Sequence, residues 1–532
     1  ILDILCIRVN NSIMTLHQLP LASKDKVIIV GAGIGGLASS VRLSHLGYQV
    51  SVFEKAKNAG GKLRTIMGST GDIDVGPTVL TLLPIFKKLF KSVGEDIFEH
   101  IELVRQKIIA RHWWPDGTSL DLHDNFEASR DAILSFSGSN SAHEFEKYFF
   151  DTKDLFSCFE TPVMQNPKPS LLDMNRAVFS NPRIITKIHP SRSLSSSLKL
   201  KFSDYRLQQL FARYATYIGG SPLESPALLS LIWQAEARGV WSIKGGMKKL
   251  ASVLEKLALD RGASFTYDSE VKEFNTEGDR LVSITDNLGN KYRADKFIFN
   301  GDPRALAVGK LGHAVKKAAT KEAKCDRSLS AYVWGFDAKV SGLDLVHHNV
   351  FFSDEPNSEF GEIKRGKMPS DPSIYVCAQD RGKNAPYPDI ERFEIILNAP
   401  PVSKRMSTPE DYEKCKETTF KRLETFGLTF QSKLERGNLT TPEDFEALFP
   451  ASDGSLYGRS PHSLLATLRR PKCVTPLKNL FLVGGGVHPG AGVPMATLCA
   501  QLAVEEITKG QISTSTFPQM DTPGGTLTAS TR

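Results

Sequence analysis

The chain predicts an α/β protein built around a dinucleotide-binding unit, on two observations. Residues 26–54 read strand, glycine turn, helix, strand, acid. Residues 479–510 read strand, glycine-rich loop, helix. The two segments lie near opposite ends of 532 residues. Each offers the free N–H groups and positive dipole end that receive an anion at a helix start.

The first segment opens with the strand Lys26-Val27-Ile28-Ile29-Val30 and the turn Gly31-Ala32-Gly33-Ile34-Gly35-Gly36. Gly31 permits the tight turn, Gly33 lets a pyrophosphate approach the backbone, and Gly36 lets the helix pack against the sheet. The helix shows apolar Ile34, Leu37 and Val41 and stops at Leu46-Gly47, glycine being the usual residue just past a helix end. Glu54 closes the second strand, Val50-Ser51-Val52-Phe53, roughly twenty residues past the turn. A carboxylate there accepts ribose hydroxyls and repels a 2′-phosphate, which disfavours NADP and leaves FAD and NAD open. Gly60-Gly61-Lys62-Leu63-Arg64-Thr65 follows, with glycines for close approach and two cations suited to phosphate. Then comes Asp72-Ile73-Asp74-Val75-Gly76-Pro77-Thr78.

In the middle, Gly245-Gly246-Met247 opens a helix with Leu250, Val253, Leu254, Leu257 and Ala258 on one face. A strand from Ala263 to Tyr267 and a second short one at Val271 come next, and Lys296-Phe297-Ile298-Phe299 runs into the turn Asn300-Gly301-Asp302. A hairpin is expected from Ile109 to Leu122, turning at Pro115-Asp116-Gly117. Trp113, Trp114, Trp233 and Trp241 read as packing residues rather than cavity lining.

The second segment starts with Asn479-Leu480-Phe481-Leu482-Val483 and Gly484-Gly485-Gly486, continues through Val487-His488-Pro489-Gly490-Ala491-Gly492-Val493-Pro494, and opens a helix near Pro494. Met495, Leu498, Cys499, Leu502 and Ala503 give that helix one apolar face, and it is expected to end near Lys509-Gly510.

Composition is that of a globular protein, with 41% hydrophobic and 23% charged residues and core enough for two domains. No apolar run reaches the roughly 18 residues of a spanning helix. The N-terminus has no basic lead and reads poorly as a signal peptide; Met14 is a candidate start, which makes residues 1–13 an extension. Seven scattered cysteines without a CxxC fit a reducing compartment and no metal cluster. The net charge of +7 is uneven. From Asp173 to Asp204 no acid intervenes among Arg176, Arg183, Lys187, Arg192, Lys199 and Lys201, and apolar Phe179, Leu194, Leu198 and Leu200 are interleaved. The stretch reads as a solvated basic surface or as a contact with anionic lipid at about 1 kcal/mol per basic residue. No nucleic-acid recognition fold is present in the pattern.

Taken together, Gly31–Glu54, Gly60–Thr65, Asp72–Thr81, Ala110–Gly117, Phe211–Pro222, Gly239–Met247 and His488–Pro494 resemble the phytoene-desaturase-type carotenoid desaturases, in the branch of 1-hydroxycarotenoid 3,4-desaturases, over roughly residues 24–510. Lys62 stands where relatives often carry arginine, and Ser463 where glycine is expected. The resemblance implies a Rossmann-type FAD-binding domain with an inserted α+β substrate domain. The first is expected from residues 24–125, 240–312 and 465–510, the second from 126–239 and 313–464, with 1–23 and 511–532 disordered. It implies FAD contacts at Gly31, Gly33, Gly35, Gly36, Glu54, Lys55, Gly61, Lys62, Arg64, Gly76, Pro77, Thr78, Val271 (backbone to adenine), Asn300, Asp302, Gly485, Gly486, Gly492, Val493 and Pro494. The second loop would face the N1–C2=O edge of the flavin, which gains negative charge on reduction.

The implied reaction is C3–C4 desaturation of an acyclic 1-hydroxylated carotenoid, with hydride passing to flavin and a proton to a base. His488 is a candidate base, ahead of Asp302 and Glu236, but its reading as a hydrogen bonder that fixes the loop is favoured. Oxygen or a quinone would reoxidise the flavin. A bilayer-dwelling substrate favours a bacterial cytoplasmic enzyme docked on the membrane through residues 176–201, with no nucleic-acid partner. Alternatives are a phytoene or neurosporene desaturase, a carotenoid isomerase, an amine oxidase, or a flavin-free lipid-escort protein.

Overall fold

The computed structural model describes residues 25–382, 386–402, 409–463 and 465–512. The termini expected to be disordered lie outside those residues, except that the last helix, Val493–Ile512, runs slightly past its expected end.

Five parallel strands form one sheet in the order Leu480–Leu482, Lys296–Phe299, Lys26–Val30, Gln49–Phe53, Ser264–Thr266. Its strands therefore come from three separated stretches of chain. Ile28 pairs with Phe297 on one side and Ser51 on the other. The sheet's strands are nearly continuous apolar runs because helices cover it. Helix Ile34–His45 packs against Lys248–Leu259 and Val493–Ile512. Val27, Ile29, Leu37, Leu250, Leu254 and Leu502 are buried in the resulting core, each contributing about 1.5–3 kcal/mol of transfer free energy where fully enclosed. Asp74 starts the Lys248–Leu259 helix by accepting from the Met247 N–H at 2.7 Å. Gly246, at φ 87°, leaves room for that carboxylate. The strand expected to be short at Val271 extends to Glu277 and joins an antiparallel three-stranded ribbon.

A second, eight-stranded sheet is mostly antiparallel. It runs Thr429–Gln431, Ser330–Ser341, Glu391–Ala399, Ile374–Ala378, His348–Phe351, Ile108–Trp113, Ser119–His123, with Leu439–Thr440 alongside Ser330–Ser341. The hairpin Ile108–His123 thus belongs to this sheet, through parallel pairing with His348–Phe351, and not to the parallel sheet of the 24–125 stretch that contains it. Trp113 stacks on Phe351, and hairpin packing of this kind fixes the hairpin there.

Helices cap the second sheet. Phe126–Phe159 is two helices joined at Gly138, whose φ of 84° no helix interior adopts. Trp114 and Trp233 are buried, their indole N–H groups donating to Gln209 and Thr152. Among the described residues no helix is long and apolar enough to cross a membrane.

Candidate functional site

Both glycine segments open onto one cavity of about 1260 Å³. That exceeds the roughly 300–1,000 Å³ of a single small-molecule site, so it suits a cofactor together with an extended apolar ligand. The join between the segments is Asn300. Its side-chain amide donates to the Gly31 carbonyl at 3.1 Å. A Cβ on Gly35 would lie 2.7 Å from the Asn300 Oδ1 and 3.0 Å from the Gly484 N. A Cβ on Gly36 would lie 2.1 Å from the Gly31 carbonyl oxygen. Gly35 and Gly36 therefore shape the turn without lining the cavity.

Gly31, Gly33, Glu54, Lys55, Gly61, Lys62, Arg64, Gly76, Pro77, Thr78, Val271, Asn300, Asp302, Gly485, Gly486, Gly492, Val493 and Pro494 are all on the cavity wall. Glu54 accepts from the Ala32 N–H at 2.6 Å and the Ala56 N–H at 2.9 Å. A carboxylate has about four acceptor positions, so two remain for a hydroxylated ligand. The helices beginning at Ile34 and Val493 both start at this wall, with no acid in the first turn of either. Glycine backbone that admits close approach, two helix N-termini and a hydroxyl-accepting acid fit a flavin dinucleotide.

Lys62 and Arg64 are not free for phosphate as expected. Lys62 is half-buried, donates to the Leu456 carbonyl and lies over the Phe449 ring; desolvation of its ammonium is the main reason its pKa falls to about 8. Arg64 donates to Thr440 and lies over Phe445. They join the glycine-turn region to residues 440–456. Asp302 has both oxygens engaged, one capping Pro303–Ala307 through the Arg304 N–H, the other paired with buried Arg327. That leaves it poorly placed to take a proton.

His488 is absent from the cavity wall. Its Nε2 donates to the Val163 carbonyl at 2.9 Å, and the ring is 1% exposed. Burial lowers its pKa to about 4, so the imidazole is neutral. The candidate base of the sequence is, in the structure, a side chain that ties the glycine loop to residues 160–164; proton acceptance fails on geometry, since a base must reach the hydrogen it removes. Glu236 does reach the wall, but Tyr214 donates to it at 2.6 Å, and Tyr217 and Arg213 donate as well.

Two site residues carried no signal in the sequence. Arg470 is buried and donates to the carbonyls of Tyr457 and Gly485, both at 3.0 Å, holding the second glycine loop. Burial lowers its pKa to about 10. Glu394 lies on the strand Glu391–Ala399, whose face toward the cavity shows Glu394, Ile396 and Asn398 while Phe393, Ile395 and Leu397 enter the core behind. The alternation itself is readable; that its polar member faces a cavity is not.

Comparison with known proteins agrees with this geometry. The family described as flavin containing amine oxidoreductase matches residues 34–324. A hydroxyneurosporene desaturase of Cereibacter sphaeroides is 45% identical over 91% of this chain and 97% of its own. Another, of Rhodobacter capsulatus, is 42% identical over 92% of this chain and 99% of its own. An oxidoreductase from Methanosarcina mazei shares the fold, with a TM-score of 0.57 at 18% identity, covering 90% of this chain and all of that one. The chain belongs to the flavin-containing amine oxidoreductases and, within them, to the carotenoid desaturases.

Proposed function

We propose that the protein is an FAD-dependent desaturase that introduces a C3–C4 double bond into an acyclic 1-hydroxylated carotenoid. The observation that carries this reading is the single cavity, walled by both glycine segments and continuing along an apolar sheet face. The hydroxylated substrate rests on the likeness to hydroxyneurosporene desaturases.

Bound there, the flavin supplies the two-electron acceptor that no side chain provides. The chain supplies the rest. The helix starting at Ile34 and the Gly33 backbone receive the pyrophosphate, Glu54 the ribose, and the Val271 backbone the adenine. The loop ending at Gly492 and the helix starting at Val493 would offer their N–H groups to the flavin where negative charge develops on reduction. Val333, Val350, Phe352 and Ile396 keep water from the hydrocarbon. The substrate would give up a hydride from C4 to that two-electron acceptor and a proton from C3 to a general base, and the C3–H bonding pair becomes the new π bond. In this reading residues 24–125, 240–312 and 465–510 hold the cofactor, apart from the hairpin Ile108–His123, and 126–239 and 313–464 hold the substrate. Oxygen or a membrane quinone reoxidises the enzyme.

The enzyme docks on the bilayer through the helical cap. Leu171, Leu172, Phe179, Ile185 and Leu200 are exposed beside Arg176, Arg183, Arg192 and Lys199. Lys187 and Lys201 contribute less than expected, being paired with Asp151 and Asp154. The test uses anionic liposomes loaded with 1-hydroxyneurosporene or neurosporene. The protein is expected to float with the vesicles and convert the hydroxylated pigment to its 3,4-didehydro product. Conversion of neither, or only of neurosporene, contradicts the reading, and failure to float removes the docking surface.

A further inference from the structure

The second sheet presents one chemical anomaly to the cavity. Glu394 lies on the cavity-facing side of its strand, next to Ile396, and is fully buried. Neither of its carboxyl oxygens makes a hydrogen bond of ordinary geometry among the described residues, and the Thr78 hydroxyl, already shared with Tyr375, is the one side chain close enough to favour its charged form by hydrogen bonding. A buried carboxyl without a partner costs about 1–3 kcal/mol, more if charged, so its presence needs a reason. The polar groups nearest it on this wall are engaged with one another. Arg213, Tyr217 and Glu236 bond one another, and Tyr375 pairs with Thr78 at 2.9 Å and with His348 at 2.7 Å.

Burial, and after it the negative charge of Asp74, hold the Glu394 pKa well above the usual carboxylate range, against the opposing pull of Arg64 and Thr78. Burial thus favours its protonated form, which has one O–H to donate and a carbonyl oxygen to accept. An alcohol matches that pair: its own O–H donates to the carbonyl, and its oxygen accepts from the acid. A hydrocarbon offers neither.

We propose that Glu394 binds the 1-hydroxyl of the substrate and so sets the preference for hydroxylated over unhydroxylated carotenoids. This deepens the proposed function and rests on it. Distance supports the placement. The hydroxyl-bearing C1 is separated from the reacting C4 by three bonds of about 1.5 Å each, so the hydroxyl contact must lie close to the redox centre. Thr78, which follows the Gly76-Pro77 stretch on the proposed flavin wall, is a neighbour of Glu394. Cys377 stands opposite Glu394 across the strand pair.

The test compares wild type, Glu394→Gln and Glu394→Leu with 1-hydroxyneurosporene and neurosporene. Steady-state kinetics are paired with binding measured by quenching of tryptophan fluorescence, which needs no turnover. Flavin content and thermal unfolding report that each variant folds. Wild type is expected to favour the hydroxylated pigment by about ten- to a hundredfold in KM and in Kd, the range of one unpaired buried group. Glu394→Leu should bring the two pigments together, and Glu394→Gln, which keeps a donor and an acceptor, should retain most of the preference. A preference that survives in Glu394→Leu overturns the inference and leaves the proposed function standing. Loss of turnover in Glu394→Gln with the preference intact overturns it too, since that is the behaviour of a proton acceptor. No preference in wild type overturns the hydroxylated-substrate reading and this inference with it.

Discussion

On one side the cavity wall is mostly backbone, and on the other it is mostly side chains. The glycine-loop side is made of Gly31, Gly33, Gly485, Gly486 and Gly492, and at two of them an added carbon would crowd a neighbour: on Gly33 it would fall 2.9 Å from the Asn300 Nδ2, on Gly486 2.8 Å from the Pro303 Cδ. The sheet side is made of Val333, Val350, Tyr375, Ile396 and Glu394, side chains that alternate between core and cavity along their strands. The difference teaches where specificity resides. Backbone N–H groups and helix ends recognise phosphate and ring oxygens in any protein of this kind, whereas side chains on a sheet face change freely and choose the substrate.

The comparison breaks most readily at Arg213. It is the cation that balances buried Glu236 on the side-chain half of the wall, both residues being carried by helical segments. Replacing Arg213 by Met leaves that carboxylate uncompensated, at a cost of about 3–5 kcal/mol, to be read as a fall in thermal midpoint. Flavin content per folded molecule should survive, because the glycine-loop side is untouched. Loss of flavin at full stability would show that the two sides are not separable.

A somewhat smaller effect is expected at His488, which serves the glycine-loop side from behind. Its pKa is lowered in the folded protein to about 4, chiefly by burial, and unfolding returns it to about 6.5. A depressed folded value means that the stability is fully present above about pH 6.5 and is lost as pH falls toward 4, by up to about 3 kcal/mol. In His488→Gln that part of the acid destabilisation should vanish relative to wild type, while the rate of flavin reduction in a single turnover changes less than tenfold. A reduction rate that collapses would restore His488 as the base.

The legibility of the chain followed the same division. Strand, turn and helix of residues 26–54 and 479–510 are local patterns in which glycine position, apolar period and the closing acid speak for themselves, and all three chain stretches of the parallel sheet contain strands anticipated from apolar runs. The hairpin Ile108–His123 was readable as a hairpin, but its partner strand His348–Phe351 is more than two hundred residues away, and only long-range pairing assigns it to a sheet. His488 offered two readings, a base and the favoured loop-fixing hydrogen bonder, but its partner, the Val163 carbonyl, comes from a distant helix end that no local pattern names. Lys62 and Arg64, cations beside paired glycines, looked like phosphate ligands, before Leu456, Thr440 and two phenylalanine rings took their heads. Glu394 sits in an ordinary alternating strand, Glu391-Arg392-Phe393-Glu394-Ile395, where solvent exposure of its face is the default expectation.

The central claim is that both ends of the chain hold one flavin in one cavity, and flavin stoichiometry tests it most directly. Purified protein reconstituted with FAD is titrated spectrophotometrically alongside Gly33→Asp and Gly492→Asp, with thermal unfolding to confirm folding. One flavin per chain in the wild type, abolished by either substitution alone, is the predicted result. A folded variant at either position that still binds a full equivalent of flavin would contradict it.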